Sequence, residues 1–228
     1  ESAVCGASDQ QARARVRSGC VAMRIAEGFR DDGIDVVLRR DALTRVAMAQ
    51  REIGLRAGEP PATRGYPPST FSVLARLLER AGPGAEGTGS ITAIISILVD
   101  GDNHNDPIAD STRGILDGHI VMERSLAEEG RYPPINPLAS ISRLARKAWT
   151  PDQEKLVGRL KSLIHRFEET RDLRLIGGYR PGADPDLDMA IKQVPIIYEV
   201  LKQTPGERPA GDAFTDLATA LKNAAAQQ

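Results

Sequence analysis

The chain has 228 residues, of which 41% are hydrophobic and 27% charged, a globular composition long enough to bury a core. Its 30 basic and 31 acidic side chains nearly cancel, which excludes binding to nucleic acid or anionic lipid through net charge. No stretch reaches the roughly 20 apolar residues of a membrane span, and no signal peptide is recognisable. Two cysteines and three histidines are too scattered for a zinc motif or a disulfide framework, so we expect a cytoplasmic protein, peripheral to a membrane at most.

The first long helical pattern ends at Gly33 and is followed by a β-branched run that leads to Asp41. Together with a short apolar stretch at residues 2–7, it predicts a strand, helix, strand unit with parallel pairing. The carboxyl ends of parallel strands form the edge of the sheet where ligands bind, and a carboxylate there suits a magnesium ion. The alternative is that Asp41 caps the helix that is predicted after it.

A loop, a helix and an apolar strand are predicted next. Residues 57–69 hold four prolines and two glycines, which predicts a fixed loop before a helix from Thr70. The apolar residues 90–99 predict a strand that is buried on both faces. The segment after this strand is rich in aspartate, with Asp100, Asp102 and Asp106. Because the register of an EF-hand is absent, it predicts a solvated acidic loop rather than a calcium site.

The predicted elements change in kind along the second half of the chain. A helix near residues 111–117 and a strand at residues 118–122 come first. From Thr150, which is followed by a proline at the first helical position, only helical patterns with apolar stripes occur. We therefore expect two domains, an α/β domain at residues 1–149 and an all-α domain at residues 150–228.

The chain contains several short sequence strings. No single string is decisive, but their order and spacing are very specific. They read DALTR at 41–45, GEPPATRGYPP at 58–68, DPIAD at 106–110, ILDGHI at 115–120 and SISR at 140–143. Together they resemble the catalytic subunits of rotary ATPases, most closely the flagellar protein-export ATPase and its relatives in type III secretion. The resemblance implies a RecA-like P-loop NTPase core with a mostly parallel sheet, followed by an all-α C-terminal domain. The core is expected to be incomplete at its N-terminus, because the chain contains no G-x-x-x-x-G-K-[ST] phosphate loop.

The resemblance also implies roles for four residues around ATP and Mg²⁺. Asp41 would be the Walker B carboxylate that acts on magnesium, and Arg143 the arginine finger that stabilises transition-state charge in the neighbouring subunit. Arg80 would lie near the γ-phosphate, and Tyr132 would pack on the adenine ring. The residues alone leave plainer alternatives open. Arg143 could form an ion pair on a helix surface, Arg80 could cap a helix C-terminus, and Tyr132 could pack against Pro133.

The acidic loop with Asp100, Asp102 and Asp106 resembles the family loop that faces the central pore of a ring. A coiled-coil stalk docks there, and the acidic charge would steer a basic partner. The resemblance implies a homo-oligomer, a hexameric ring, that meets stalk, export-apparatus and chaperone proteins. The expected function is ATP hydrolysis that energises flagellar protein export at the cytoplasmic face of the export apparatus. A virulence-type secretion ATPase, a synthase-type subunit and a truncated, non-catalytic scaffold are the alternatives.

Two departures from the family pattern affect these expectations. The phosphate loop and the glutamate that polarises the attacking water are missing, so this chain alone is expected not to hydrolyse ATP. Arg39 and Arg40 stand where the family has apolar residues before the aspartate. Two buried arginines would each cost several kcal/mol unless they are paired, which predicts either an exposed strand end or a degenerate copy of the enzyme.

Overall fold

The computed structural model describes residue 4 and residues 11–103, 105–206 and 211–226. Packing divides the chain into two compact units, one ending at Leu116 and the other beginning at Asp117. The strand predicted at residues 2–7 falls, apart from Val4, outside the described residues. Within the described ranges no helix is long and apolar enough to cross a membrane.

The first unit combines helices with a small mixed sheet. Its described elements are α1 (Ala12–Asp31), β1 (Val36–Arg40), α2 (Leu43–Arg56), α3 (Pro68–Leu78), β2 (Gly82–Pro83), β3 (Ser90–Ile95) and α4 (Pro107–Ile115), with 3-10 turns at Thr63–Gly65 and Asp100–Asp102. The strand order is β1-β3-β2. β1 pairs in parallel with β3, from Val36 opposite Ile91 to Arg40 opposite Ile95, and β2 pairs antiparallel with the start of β3. The strand before Asp41 therefore belongs to a parallel pair.

One face of this sheet and the apolar sides of the helices form the core of the first unit. In α3 the buried leucines recur at helical spacing, at Leu74, Leu77 and Leu78, because residues three and four apart share one helix face. The same core contains the following buried side chains from the other elements: Met23, Ala26, Leu43, Val46, Ala47, Tyr66, Ile91 and Ile108. Burial of this apolar surface is the main favourable contribution to folding of the unit.

The prediction for residues 90–99 is wrong in its length and in its burial. β3 ends at Ile95, and its side chains alternate between a buried and an open face. Ile91 is 3% exposed, whereas Ile94 is 56% exposed and Val37 on the neighbouring strand is 70% exposed. Because successive side chains of a strand point to opposite faces, one face of the β1 and β3 pair packs on the core while the other remains open among the described residues.

The two arginines before Asp41 lie in different environments. Arg39 is exposed, since its register places it with Val37 on the open face of the sheet. Arg40 is half-buried against α1, where a Cβ at position 19 would overlap its guanidinium, so Gly19 makes room for it. Burial lowers the pKa of Arg40 below its ordinary value. The structure thus accommodates one arginine by exposure and the other through a glycine on the facing helix.

The second unit starts with a two-stranded sheet and continues as helices. Its described elements are β4 (Gly118–Met122), α5 (Arg124–Glu128), β5 (Ile135–Ser142), α6 (Ala145–Ala148), α7 (Pro151–Glu169), α8 (Arg171–Leu175), α9 (Pro185–Val200) and α10 (Ala213–Ala226). β4 and β5 pair antiparallel with an irregularity between His119 and Val121. β4 has the predicted bounds, whereas β5 was not predicted. An α/β part followed by a helical part confirms the predicted fold class.

The helices of the second unit pack through α7 and α9. Their buried side chains form one apolar cluster: Leu160, Leu163, Ile164, Ala190, Val194 and Ile197. α7 begins with the predicted cap, because the Thr150 side chain accepts from the N–H of Gln153 and the Gln153 side chain accepts from the N–H of Thr150. The Asp184 carboxylate caps α9 by accepting from the N–H groups of Asp186 and Leu187, and α9 continues through Pro195.

A two-pronged ion pair joins α1 to the segment after α3. Arg80 Nε donates to Glu27 Oε1 at 2.6 Å, and Arg80 Nη2 donates to Glu27 Oε2 at 2.8 Å. These bonds lower the pKa of Glu27, which is 8% exposed, from 4.5 to about 2. A carboxylate whose pKa is lower in the folded state stabilises the fold above its unfolded pKa. The stabilisation is therefore complete above about pH 5 and is lost as the pH falls towards 2.

Replacing Arg80 by Met should lower the free energy of unfolding by about 2 to 4 kcal/mol at neutral pH, because Glu27 then stays buried without its partner. Arg24→Met is the matched control. Arg24 bonds the same carboxylate at 3.1 Å but is 76% exposed, so its loss should cost less than about 1 kcal/mol. Urea denaturation at neutral pH and at about pH 3 measures both effects. Equal losses in the two variants would contradict this account.

Candidate active site

The carboxyl ends of β1 and β3 bring Asp41 and Ser96 together. Asp41 follows β1, and Ser96 follows the neighbouring parallel strand. The Ser96 N–H donates to the carbonyl of Arg40 at 3.0 Å, and the Leu43 N–H donates to the carbonyl of Ser96 at 2.9 Å. The Ser96 hydroxyl donates to Asp41 Oδ1 at 2.6 Å. This bond orients an exposed carboxylate at the edge of the sheet where α/β proteins bind ligands.

Asp41 does not cap the helix that follows it. The N-cap of α2 is Ala42, whose side chain makes no capping bond, and the Asp41–Ala42 peptide is cis. A carboxylate has about four acceptor positions, so the bond from Ser96 leaves several of them for a cation. Among the described residues no three His, Cys, Asp or Glu side chains cluster as a metal cage. One oriented carboxylate fits Mg²⁺, which keeps much of its water and is bound through one or two carboxylates and substrate phosphates.

Thr44, near the start of α2, makes further hydrogen bonds to the segment that follows β3. Its hydroxyl accepts from the N–H of Leu98 at 2.9 Å and donates to the carbonyl of Leu98 at 3.2 Å. Thr44 is buried, so both bonds are shielded from water. The sequence patterns predicted no role for Thr44 or Ser96. The signal that could have revealed them is a single hydroxyl in the apolar run from Ile94 to Val99 and a threonine three residues after Asp41.

Arg80 lies in the same unit as Asp41, and its guanidinium is held by Glu27. α3 ends at Leu78 with Glu79 as its C-cap, so Arg80 follows the helix end rather than capping it. Arg80 does not line the cavity beside Asp41 in the part of the chain that the structure describes. Its pairing with Glu27 therefore accounts for the fixed orientation of its side chain.

The three aspartates predicted to face a partner occupy different positions along the backbone. Asp100 is exposed and begins the 3-10 turn in which Gly101 has φ of 60°. Asp102 ends the same turn. Asp106 is the N-cap of α4: its Oδ1 accepts from the N–H groups of Ile108 at 2.9 Å and Ala109 at 3.2 Å. The carboxylate of Asp106 therefore satisfies helix donors, while that of Asp100 faces solvent.

Tyr132 and Arg143 both lie in the second unit. Tyr132 is 55% exposed, and its carbonyl accepts from the N–H of Gln203 at 2.8 Å. Arg143 is exposed in the turn between β5 and α6, and its N–H donates to the carbonyl of Asp117 at 2.7 Å. Arg143 is thus not on a helix surface, as the alternative interpretation required. Both side chains belong to fixed backbone segments and are accessible from outside their unit.

Comparison with known proteins assigns both parts of the chain. Residues 2–142 match the ATP synthase alpha/beta family, nucleotide-binding domain. The chain belongs to this family. Residues 149–223 match the T3SS EscN ATPase C-terminal domain, which places this member of the ATP synthase alpha/beta family beside the secretion ATPases. The predicted boundary near Trp149 stays a prediction, because the compact units and the matched ranges divide the chain at different residues.

Similar members of the family include a flagellar protein and a secretion protein. The chain is 75% identical over 223 residues to the "Flagellum-specific ATP synthase" of Rhizobium meliloti (strain 1021), covering 98% of this chain and 48% of that protein. The assembled ATPase EscN from the enteropathogenic E. coli type III secretion system superposes with a TM-score of 0.89 at 41% identity, covering 93% of this chain and 52% of EscN. EscN in complex with its central stalk EscO gives a TM-score of 0.83 at 39% identity over 96% of this chain and 51% of that chain. This family member thus spans about half the length of the relatives it matches.

A Thr44→Val change should lower the free energy of unfolding by about 1 to 3 kcal/mol, because it keeps the side-chain shape but leaves the N–H and carbonyl of Leu98 without partners. Thr92→Val is the matched control, since Thr92 is exposed on β3 and valine suits a strand. Its effect should stay within about 0.5 kcal/mol. Chemical denaturation of both variants gives the comparison, and a Thr44→Val variant as stable as the control would refute the role of these bonds.

Proposed function

We propose that these residues belong to the ATP-hydrolysing subunit that energises flagellar protein export, acting in a hexameric ring of like subunits at the cytoplasmic face of the export apparatus. The observation that carries the proposal is the exposed Asp41 carboxylate, oriented by Ser96 at the carboxyl edge of a parallel strand pair. Its support is the 75% identity to a flagellum-specific ATP synthase over nearly the whole chain. The flagellar branch is preferred to a virulence system because the identity to EscN is only 41%.

The proposed chemistry divides between two sides of an interface. On one side, Asp41 orients Mg²⁺ or its water shell; when bound, the ion neutralises charge on the β- and γ-phosphates of ATP. On the other side, the exposed turn presents Arg143 to the neighbouring subunit, where its guanidinium stabilises transition-state charge. Tyr132 offers an exposed aromatic face for adenine. Arg80, held by Glu27, contributes its positive field near the γ-phosphate.

The 228 residues do not contain every part that ATP hydrolysis needs. No G-x-x-x-x-G-K-[ST] string occurs in them, and such a loop supplies the backbone donors that cradle the phosphates. We therefore propose that these residues hydrolyse ATP only within a complete subunit. The scaffold alternative drew support from Arg39 and Arg40, and that support is weaker now that one is exposed and the other has space beside Gly19.

The proposed partners follow from the acidic turn and the helical second unit. EscN, which has the same fold, has been seen in complex with its central stalk EscO. We propose that a coiled-coil stalk meets the turn from Asp100 to Asp102, and that the exposed carboxylate of Asp100 attracts its basic side chains. Asp106 caps α4 just after this turn, so we propose that it supports the turn and does not contact the stalk directly. Export-apparatus and chaperone proteins are proposed to bind the helices after Trp149.

In the complete subunit, Arg143→Ala should lower turnover by about 10³-fold while nucleotide binding stays nearly unchanged, because an arginine finger acts on transition-state charge. Asp41→Asn should also abolish turnover. Mixing the two inactive variants should restore activity, since interfaces with an intact Asp41 on one subunit and an intact Arg143 on the next then form. Arg146→Ala is the control, because Arg146 lies on α6 and is 87% exposed. A mixture that remains inactive would exclude the role in trans.

Ser96→Ala in the complete subunit should raise the Mg²⁺ concentration for half-maximal activity by about tenfold, because the carboxylate that meets the ion loses the hydroxyl that orients it. Ser96→Thr keeps the hydroxyl and should restore the wild-type magnesium dependence. Ser72→Ala, which removes an exposed hydroxyl on α3, serves as the control. Magnesium titrations at saturating ATP measure the shift. An unchanged magnesium dependence in Ser96→Ala would show that the bond has no part in positioning Asp41.

A further inference from the structure

A cavity rich in arginine lies beside the carboxyl end of β1. It has a volume of about 160 Å³, far above the roughly 15 Å³ that admits one water molecule. Its described walls come from α1, the end of β1, the start of α2 and Val4. They include Arg15, Arg39, Arg40 and Arg45, with Asp41 as the acidic residue among the described lining residues. The charge of the described wall residues is therefore positive, although the whole chain has a net charge of -1.

Arg40 is the residue that most requires a negative partner. Its guanidinium is half-buried against α1, and no described side chain forms a hydrogen bond or an ion pair with it. A buried charge is normally paired, because an unpaired one is strongly destabilising. An anion in the cavity would supply the missing pair.

The other arginines have unused donors as well. Arg15 Nη2 contacts Glu52 Oε2 at 3.3 Å, but its Nε is buried without a hydrogen-bond partner, and Glu52 is shared with Arg56 at 2.9 Å. Arg39 and Arg45 are exposed, and neither forms an ion pair with any described residue. Guanidinium groups present several donors in a planar fork, which matches the oxygens of a phosphate group.

The helix that starts on the cavity wall adds to this positive field. The N-cap of α2, Ala42, makes no side-chain bond, and the first turn of α2 contains no acidic residue. α1 also begins without a side-chain cap or an acidic residue in its first turn. By contrast, α4 and α9 begin with an aspartate that accepts from helix N–H groups. An anion near α2 would interact favourably with its unsatisfied donors.

We propose that this cavity is a binding site for a phosphate group, carried either by inorganic phosphate or by a nucleotide, with Arg40 as its central ligand. Asp41, the acidic residue among the described wall residues, does not prevent this, because its carboxylate is held towards Ser96 by a hydrogen bond of 2.6 Å. The site depends on Arg39 and Arg40, the two positions where the family resemblance leads one to expect apolar residues. It requires neither magnesium at Asp41 nor ATP hydrolysis.

The test is a calorimetric titration of the 228-residue chain, and of the complete subunit, with inorganic phosphate against sodium chloride of equal ionic strength. Wild-type protein should bind phosphate saturably, and Arg40→Leu should weaken the affinity at least about tenfold. Arg40→Leu should also raise the melting temperature without phosphate, since an unpaired half-buried charge is replaced by an apolar side chain. Arg76→Leu is the matched control, because Arg76 is exposed on α3 and does not line the cavity; it should leave phosphate binding unchanged.

A second variant and a second ligand complete the test. Arg39→Gln with Arg45→Gln changes only exposed side chains, so it should fold normally and still weaken phosphate binding. ADP is titrated in parallel: an Arg40-dependent ADP affinity that phosphate competes away identifies a nucleotide phosphate, and an Arg40-dependent response to phosphate alone identifies the free ion. The absence of saturable phosphate binding to wild-type protein, or equal affinity in wild type and Arg40→Leu, would overturn the proposal.

Discussion

The parallel pairing of β1 with β3 continues past the ends of the strands, and the candidate site depends on that continuation. The backbone of Ser96 bonds to Arg40 and Leu43, and the side chain of Thr44 bonds twice to the backbone of Leu98. These bonds fix the start of α2 against the segment that leaves β3. Asp41 lies between them, so its carboxylate is presented at the sheet edge without acting as a helix cap. The frame is built mainly from backbone groups, while the candidate ligand-binding carboxylate is exposed.

Arg80, Arg143 and Arg40 differ in how far their side chains are buried. Arg80 is held by a buried carboxylate and joins α1 to the end of α3, which makes it part of the framework. Arg143 is exposed on the turn between β5 and α6. Arg40 lies between these cases, half-buried beside Gly19. The guanidinium group is thus a structural clamp at Arg80, an exposed group at Arg143 and a candidate ligand at Arg40, because its burial and its nearest carboxylate differ.

The acidic residues show the same dependence on surroundings. Asp106 and Asp184 accept hydrogen bonds from helix N–H groups, so their charge is used within their own units. Asp100 begins a turn in which no such donor is available to it among the described hydrogen bonds, and it faces solvent. Of the aspartates in this loop whose side chains the structure describes, Asp106 is a helix cap and Asp100 is an outward charge. Only the outward charge suits long-range attraction of a partner.

The sequence by itself determined the helices with strong apolar periodicity, the strand before Asp41, the bounds of β4 and, through its ordered strings, the family. Such features are local or reside in the order of residues, and tertiary contacts do not change them. The sequence did not predict β5, because Asn136, Pro137 and two serines interrupt its apolar alternation. It predicted too long a β3, because the apolar residues after Ile95 continue the pattern while their backbone bonds to α2 instead of a strand.

Only the tertiary structure decided which polar groups meet. Ser96 lies 55 residues from Asp41, and Arg80 lies 53 residues from Glu27, so no local pattern could pair them. The same holds for the space that Gly19 leaves for Arg40, which depends on how closely α1 approaches β1. Side-chain partners across such distances are set by packing of whole elements, whereas the elements themselves are set by neighbouring residues. The sequence therefore specified the candidate carboxylate, and the fold specified what holds it in place.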